Sequence, residues 1–306
     1  MSLASPTKRQ AVFELIFTGA LWGFGFVATQ WALTTWSPAG VLLWRFMGAL
    51  ILGEVIFLLA QLRQKEKTPW KEDFKGAIPA GLLLGSFLLM QTIGLQYTTA
   101  TKSGFITTLY VVFVPVANAL FFKKRLSLSG FALVGLALVG TYLLMGVRLE
   151  TLSEDINVGD VWTLASALLA TVHIIYIGRF SPRIHNAFRV NNFQSLWALA
   201  IIVPAAVFMS AAPVAAVNGR ALTGLFILAA ACSVLGFFIQ VRTQKVLSDT
   251  TASMLFLLES PYAFFFAYLL MGDRLNAWQA GGALLILGAA LGMVLLESAP
   301  TSKTKS

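Results

Sequence analysis

Charge is scarce in this chain. Only 11% of its 306 residues are Asp, Glu, Lys or Arg, against the ~25% usual in a soluble domain. That scarcity excludes a soluble globular fold, and 58% hydrophobic residues with a mean hydropathy of +0.78 describe a membrane protein almost throughout. Long polar stretches are also missing, which leaves no room for a soluble catalytic domain. The single cysteine, Cys232, excludes an internal disulfide and reads as a small buried packing residue. His173 is the one histidine inside an apolar run, and with no second histidine, cysteine or nearby acid it makes a poor metal ligand. There is no GxxxxGK[ST] phosphate loop, no carboxylate cluster at metal-ligand spacing and no GxSxG elbow. ATP-driven transport by this chain alone is therefore disfavoured, an enzyme is not expected, and neither a cofactor nor a metal is called for.

What is present is a succession of apolar segments, each long enough to cross ~30 Å of hydrocarbon at about 20 residues. Ten helices are expected, at about 11–33, 39–61, 75–97, 101–122, 127–147, 160–178, 189–210, 221–247, 252–271 and 277–296. The first lacks a small-residue cleavage site and reads as a retained helix. With the N-terminus inside, seventeen of the 22 basic residues fall on inside segments and four on outside ones. That asymmetry predicts an even number of spans with both termini cytoplasmic. Basic loops beside anionic headgroups also account for the net charge of +9 without a nucleic-acid partner.

The longest polar outside loop separates the fifth helix from the sixth and divides the chain into 11–147, a connection at 148–159, and 160–296. Five helices on each side imply inverted repeats, the architecture in which a central site opens alternately to either side. The glycine-rich segments 127–145 and 276–296 resemble each other as closing helices, each preceded by an Arg-Leu pair (Arg125-Leu126 and Arg274-Leu275). Gly130, Gly135, Gly140, Gly281, Gly282, Gly288 and Gly292 are read as close-packing positions rather than site residues. Pro115 and Pro261 fall inside the fourth and ninth helices, at matched places in the two halves, and are expected to shape those helices by freeing the carbonyls of Val111 and Leu257.

Ionisable groups within the spans are the candidate site. Glu259 lies ~12 Å from its helix end at 1.5 Å per residue, too deep to snorkel. At about 2.5–3.5 kcal/mol for insertion, such an acid must face the bundle interior, where it is either a structural hydrogen-bonding group, a substrate contact or a proton carrier. Arg45 in the second helix could reach the outer interface or turn inward toward a substrate carboxylate. Glu54 is too far along the helix to pair with it, and Glu14 reads as structural. Lys102 opens the fourth helix as a snorkelling residue or as a contact at the cavity mouth. Gln91, Tyr110 and Tyr262 are among the polar and aromatic groups able to line the middle. Trp22, mid-helix and flanked by glycines in GALWGFGFV, is the best tryptophan candidate, whereas Trp31, Trp36, Trp70, Trp162 and Trp278 sit near helix ends as interfacial belts.

GALWGFGFV (19–27), LLWRF (42–46), QTIGLQYTTATKSGFITTLYVVFVP (91–115), LLESPYAFFFAYLLMGDRL (257–275) and the glycine-rich last helix together resemble the EamA branch of the drug/metabolite transporter superfamily over about 11–296. The resemblance implies an all-α polytopic membrane protein of ten helices in two inverted five-helix repeats around a central cavity, acting in metabolite or drug transport, often efflux. Glu259-Ser260-Pro261 resembles the family's Glu-Pro element with a serine inserted. Lys124 stands where an acid is usual, and Lys102 where a neutral polar residue is usual. The expectation is a secondary transporter exporting a small metabolite, such as an amino acid or other zwitterion, through a cavity lined by Trp22, Arg45, Gln91, Lys102, Tyr110, Glu259 and Tyr262. Proton coupling would be at Glu259. The alternatives are an uptake carrier or facilitative uniporter, and a membrane scaffold or sensor.

Overall fold

The computed structural model describes residues 5–62, 69–98, 100–124, 126–146, 156–271 and 276–298, with side chains described for all of these except 100–102 and 271. The Arg125 and Arg274 positions and most of the 148–159 connection lie outside the described residues, as does the side chain of Lys102.

Among the described residues ten helical spans are long and apolar enough to cross a membrane. The first half holds α1 (Lys8–Leu33), α2 (Pro38–Gln61), α3 (Lys71–Gly94), α4 (Ala100–Thr108), α5 (Tyr110–Phe122) and α6 (Leu128–Met145). The second holds α7 (Val158–Phe180), α8 (Ala187–Met209), α9 (Gly219–Ile227), a π-helical segment (Leu228–Gly236), α10 (Phe237–Thr243), α11 (Asp249–Phe256), α12 (Glu259–Met271) and α13 (Ala277–Ser298). The fourth span comprises α4 and α5, the eighth runs from α9 through the π segment to α10, and the ninth comprises α11 and α12.

The helices start where a short polar side chain can take up first-turn N–H groups that have no partner within the helix. Thr7, Ser37, Ser127, Asn157, Asn186, Asn218 and Ser248 all cap in this way, and Pro38 follows its cap at a position where a missing N–H does no harm. α3 begins four residues before the expected 75, because Lys71, Glu72 and Asp73 are its first turn rather than loop. Asp73 is buried and accepts the backbone N–H groups of His185 and Asn186, both at 3.0 Å.

Leu120, Phe121, Phe208 and Leu284 point outward and are largely exposed, as side chains facing lipid must be. Contacts between the halves recur with partners exchanged. α1 packs on α9, the π segment, α10 and α12, while α7 packs on α3, α4 and α5; α2 packs on the π segment as α8 packs on α3. α6 packs extensively on α13.

Several of the glycines read as close-packing positions do not serve that way. Among the described residues a Cβ at Gly135, Gly281 or Gly288 would meet nothing within 4 Å. The close approach is at Gly140, where a Cβ would stand 2.8 Å from the Gly282 carbonyl oxygen and 2.9 Å from the Ile286 nitrogen. Any side chain there would force α6 and α13 apart. Trp36 also departs from its expected interfacial role: it is buried and pairs through its backbone with Pro213 in an isolated bridge.

Candidate functional site

Two of the spans are interrupted at corresponding places. α4 has 9 residues and α5 has 13; α11 has 8 and α12 has 13. The interruptions fall at Leu109 and at Leu257-Leu258. Pro261 lies four residues beyond Leu257 and cannot donate to it, and the Leu257 carbonyl is taken instead by the Ser260 N–H at 3.1 Å. The serine inserted in the Glu-Ser-Pro element thus supplies the donor that the proline removes. Pro115 stands six residues beyond its interruption, inside a continuous α5. The first residues after the two interruptions are Tyr110 and Glu259, and they meet: the Tyr110 hydroxyl donates to Glu259 Oε1 at 3.5 Å.

The π segment is the second irregularity. Nine residues of wide-turned helix leave backbone carbonyls that are drawn into side-chain bonds. Trp22 Nε1 donates to the Cys232 carbonyl at 3.2 Å, and Asn191 Nδ2 donates to the carbonyls of Ser233 at 3.1 Å and Val234 at 3.0 Å. The Ser233 hydroxyl accepts from Arg45 Nε at 2.8 Å. Arg45 is buried, with its guanidinium 5.5 Å from the Phe46 ring centre, and no carboxylate pairs with it among the described residues. A buried cation without an anion is costly, which makes this position receptive to a ligand carboxylate.

Both irregular regions border one cavity of about 300 Å³. Trp22, Arg45, Gln91, Tyr110 and Glu259 all line it. Trp22 is wedged between the rings of Phe237 and Phe256, 5.2 Å from each. Gln91 donates to Thr107 Oγ1 at 3.3 Å. Tyr262 is not among the lining residues. The backbone approach at Gly23, where an added Cβ would be 2.6 Å from the Tyr262 Cβ, fixes the root of this tyrosine against α1, away from the cavity. Ser103 and Gly104, which follow Lys102, line the wall.

The cavity takes in the later part of α1 (Thr29, Gln30, Leu33), the start of α2 (Val41, Leu42) and the end of α3 (Gln91, Thr92, Leu95). It therefore extends from the middle of the bundle toward the end opposite to where α1 begins. Toward the other end the path is crossed by polar bonds. The Arg242 guanidinium pairs with Glu14, Gln240 donates to Gln244 at 3.1 Å, Gln244 to the Ile174 carbonyl at 2.9 Å, and Asn118 to Asp249 at 3.3 Å. Glu54, as expected, does not meet Arg45; it pairs with Arg189, which lies over Phe57 and Phe193 at 4.4 and 4.5 Å.

One group outside the expected site gains a place in the lining. His173, read from the sequence only as a poor metal ligand, stands in the cavity wall, its ring 5.5 Å from Phe87 and 6.4 Å from Phe237. Gln240 also lines the wall. Ser233 and Asn191 were not singled out at all. The only local signal for Asn191 was that it is an amide in a run otherwise suited to a span.

An all-α polytopic membrane protein of ten spans, with a cation that has no carboxylate partner among the described residues and an acid lining the same cavity, has the form of a small-solute carrier. The EamA-like transporter family model matches it twice, over residues 10–146 and 157–295, and the chain belongs to that family within the drug/metabolite transporter superfamily. It is 31% identical over 291 residues to an uncharacterized transporter from Archaeoglobus fulgidus, an alignment covering 94% of this chain and 87% of that one. A solved crystal structure shares the fold, with a TM-score of 0.74 at 18% identity over 95% of this chain and 98% of the other. The function is thus one of transport, in a family without enzymatic activity. Among the described residues no group of three or more His, Cys, Asp or Glu side chains could hold a metal ion.

Proposed function

We propose that the protein is a secondary transporter that exports a small zwitterion, such as an amino acid, across the cell inner membrane by alternating access. Its two five-helix units, about 11–147 and 160–296, run in inverted orientation with both termini in the cytoplasm. The observation that carries this reading is the pair of ionisable groups of opposite sign in one cavity: among the described residues Arg45 has no carboxylate partner, and Glu259 is bonded by Tyr110 alone.

Arg45 binds the carboxylate of the solute, since a guanidinium presents several donors to an anion. Glu259 receives the cationic end, or a proton when the cation is absent. Trp22, with Tyr110 and Gln91, borders the apolar body, and a cavity of about 300 Å³ suits a solute of amino-acid size. Lys102, at the start of α4, is assigned to the cavity mouth as a second contact for negative charge. Pro115 and Pro261 shape the interrupted helices whose second pieces start at Tyr110 and Glu259. The repeated contacts between halves support two equivalent arrangements of the bundle, one open to each side.

Proteoliposomes loaded with individual radiolabelled amino acids test this directly. Release above that of empty-protein vesicles, responding to an imposed pH gradient of one sign and lost in Glu259→Gln, is the expected result. Release that ignores the pH gradient would establish a uniporter, and accumulation against outward flux would reverse the direction. No flux for any amino acid, together with no change in cellular efflux on expression, would overturn the reading.

A further inference from the structure

His173 has no role in the expected site, yet the hydrogen bonds behind it prescribe which of its ring nitrogens faces the cavity. The chain of reasoning starts at the π segment. The carbonyls of Ser233 and Val234 are acceptors only, so the group between them must be the Asn191 amide nitrogen, at 3.1 and 3.0 Å. That orientation turns Asn191 Oδ1 toward Gln194, whose amide nitrogen donates to it at 2.8 Å. With its nitrogen so occupied, Gln194 presents Oε1 to His173 Nε2 at 3.4 Å. An acceptor there demands a donor, so in the neutral imidazole Nε2 carries the proton. Asn191, Gln194 and His173 are all buried at 1% exposure or less, so bulk water does not compete for these bonds.

The other ring nitrogen, Nδ1, has no protein partner among the described residues, and the ring forms part of the cavity wall between Phe87 and Phe237. We infer that His173 is a binding residue of the cavity, held as the Nε2–H tautomer by the relay through Gln194 and Asn191, and that its Nδ1 accepts a hydrogen bond from an N–H or O–H donor on the solute. Asn191 and Gln194 are positioning residues. The same Asn191 that orients His173 also clamps the segment bearing Ser233, which takes the Arg45 Nε–H. The cation that receives the carboxylate and the acceptor that receives a donor thus hang from one buried amide. This assignment rests on the zwitterion reading for the nature of the solute, but the tautomer does not depend on it.

The test is nitrogen NMR on the full-length protein in lipid nanodiscs with 15N-labelled histidine. The chain has 2 histidines, so a His185→Gln variant leaves His173 as the single signal. At neutral pH the expected spectrum has a protonated Nε2 and an unprotonated Nδ1. In Gln194→Leu, if that variant folds, the preference for Nε2–H is lost, an effect that a purely structural glutamine would not produce. A protonated Nδ1 in the unsubstituted relay, as the other tautomer or as imidazolium, overturns the assignment without any reference to transport. A second arm uses thermal shift with the proteinogenic L-amino acids, each beside its N,N,N-trimethyl derivative, which has no ammonium N–H. Trimethylation should weaken binding about tenfold or more, the size of one hydrogen bond to a charged group. The penalty should shrink in His173→Phe; an undiminished penalty there counts against the contact. Failure of every amino acid to bind would sink the zwitterion reading, while the spectrum would still decide whether His173 offers an acceptor.

Discussion

The two ends of the bundle are held together by different means. At the end where α1 begins, side chains cross between helices: Arg242 to Glu14, Arg189 to Glu54, Asn118 to Asp249, and the Asp73 carboxylate to the backbone before α8. At the opposite end, close backbone approaches stand beside bonds donated by uncharged hydroxyl and amide groups, from Thr98 to Asp160 at 2.7 Å and from Asn218 to Thr35 at 3.4 Å. Gly140 lies against Gly282, and Gly94 against Gly159, where a Cβ on Gly94 would come 2.9 Å from the Gly159 carbonyl oxygen. The cavity lies on the glycine side, and the polar crossings close the path beneath it.

The physical difference matters for how such a bundle moves. A side-chain bond can be exchanged for bonds to water at a small net free-energy change, so a polar crossing opens without great loss. A backbone contact through glycine has no such substitute and has to stay packed, or slide as a unit. The polar crossings are also incompletely satisfied: Glu14 Oε2, Arg242 Nε and Asn118 Oδ1 are buried with no partner among the described residues. On the alternating-access reading, the polar end is the gate and the glycine contacts are the bearing on which the helices turn.

The largest expected effect is at the floor of the cavity. Glu259→Gln should abolish the response of solute flux to a pH gradient and weaken exchange at equal pH; a variant still driven by the gradient would place the coupling group elsewhere. Next is Arg45→Gln, which should weaken binding about 10- to 100-fold, the range for a hydrogen bond to a charged group, with little loss of thermal stability. Equal affinity in that variant would mean that the cation is structural. At the glycine end, Gly140→Leu should destabilise by ~1–3 kcal/mol or more through overpacking, and Gly288→Leu, which points into open space, by less than ~0.5 kcal/mol. Thermal unfolding of both in nanodiscs makes the comparison, and equal losses would break the contrast between bearing and surface. The gate comes last. Arg242→Gln should cost ~1–2 kcal/mol and raise the labelling rate of a cysteine placed at Thr243, whereas Glu14→Leu with Arg242→Leu should recover most of the stability because no charge is left unpaired. Loss of stability without any change in labelling would show that the pair holds helices but gates nothing.

Much of the fold was legible because the bilayer imposes its demands on each segment separately. A span of about 20 apolar residues satisfies its own backbone, so the number of spans and their approximate limits follow from local composition. Trp22, Arg45, Gln91, Tyr110 and Glu259 stood out for a related reason, since polar or bulky groups in the middle of a span need partners inside the bundle. Tyr262 was one of several polar and aromatic groups able to line the middle, and it is not among the residues that line the cavity. The glycines were legible only as a class: Gly140 and Gly288 look alike in sequence, and which one meets another backbone depends on the rotation of its helix.

The sequence by itself determined the membrane class and the spans, because the hydration free energy of apolar side chains acts residue by residue. Only the tertiary structure decided that Tyr110 and Glu259 meet, residues 149 positions apart, and that Cys232, Ser233 and Val234 lend their carbonyls to Trp22 and Asn191. It also decided that His173 faces the cavity with its tautomer set from behind. These are relations between distant segments, where one donor finds one acceptor only after the helices have packed, and no local composition encodes them.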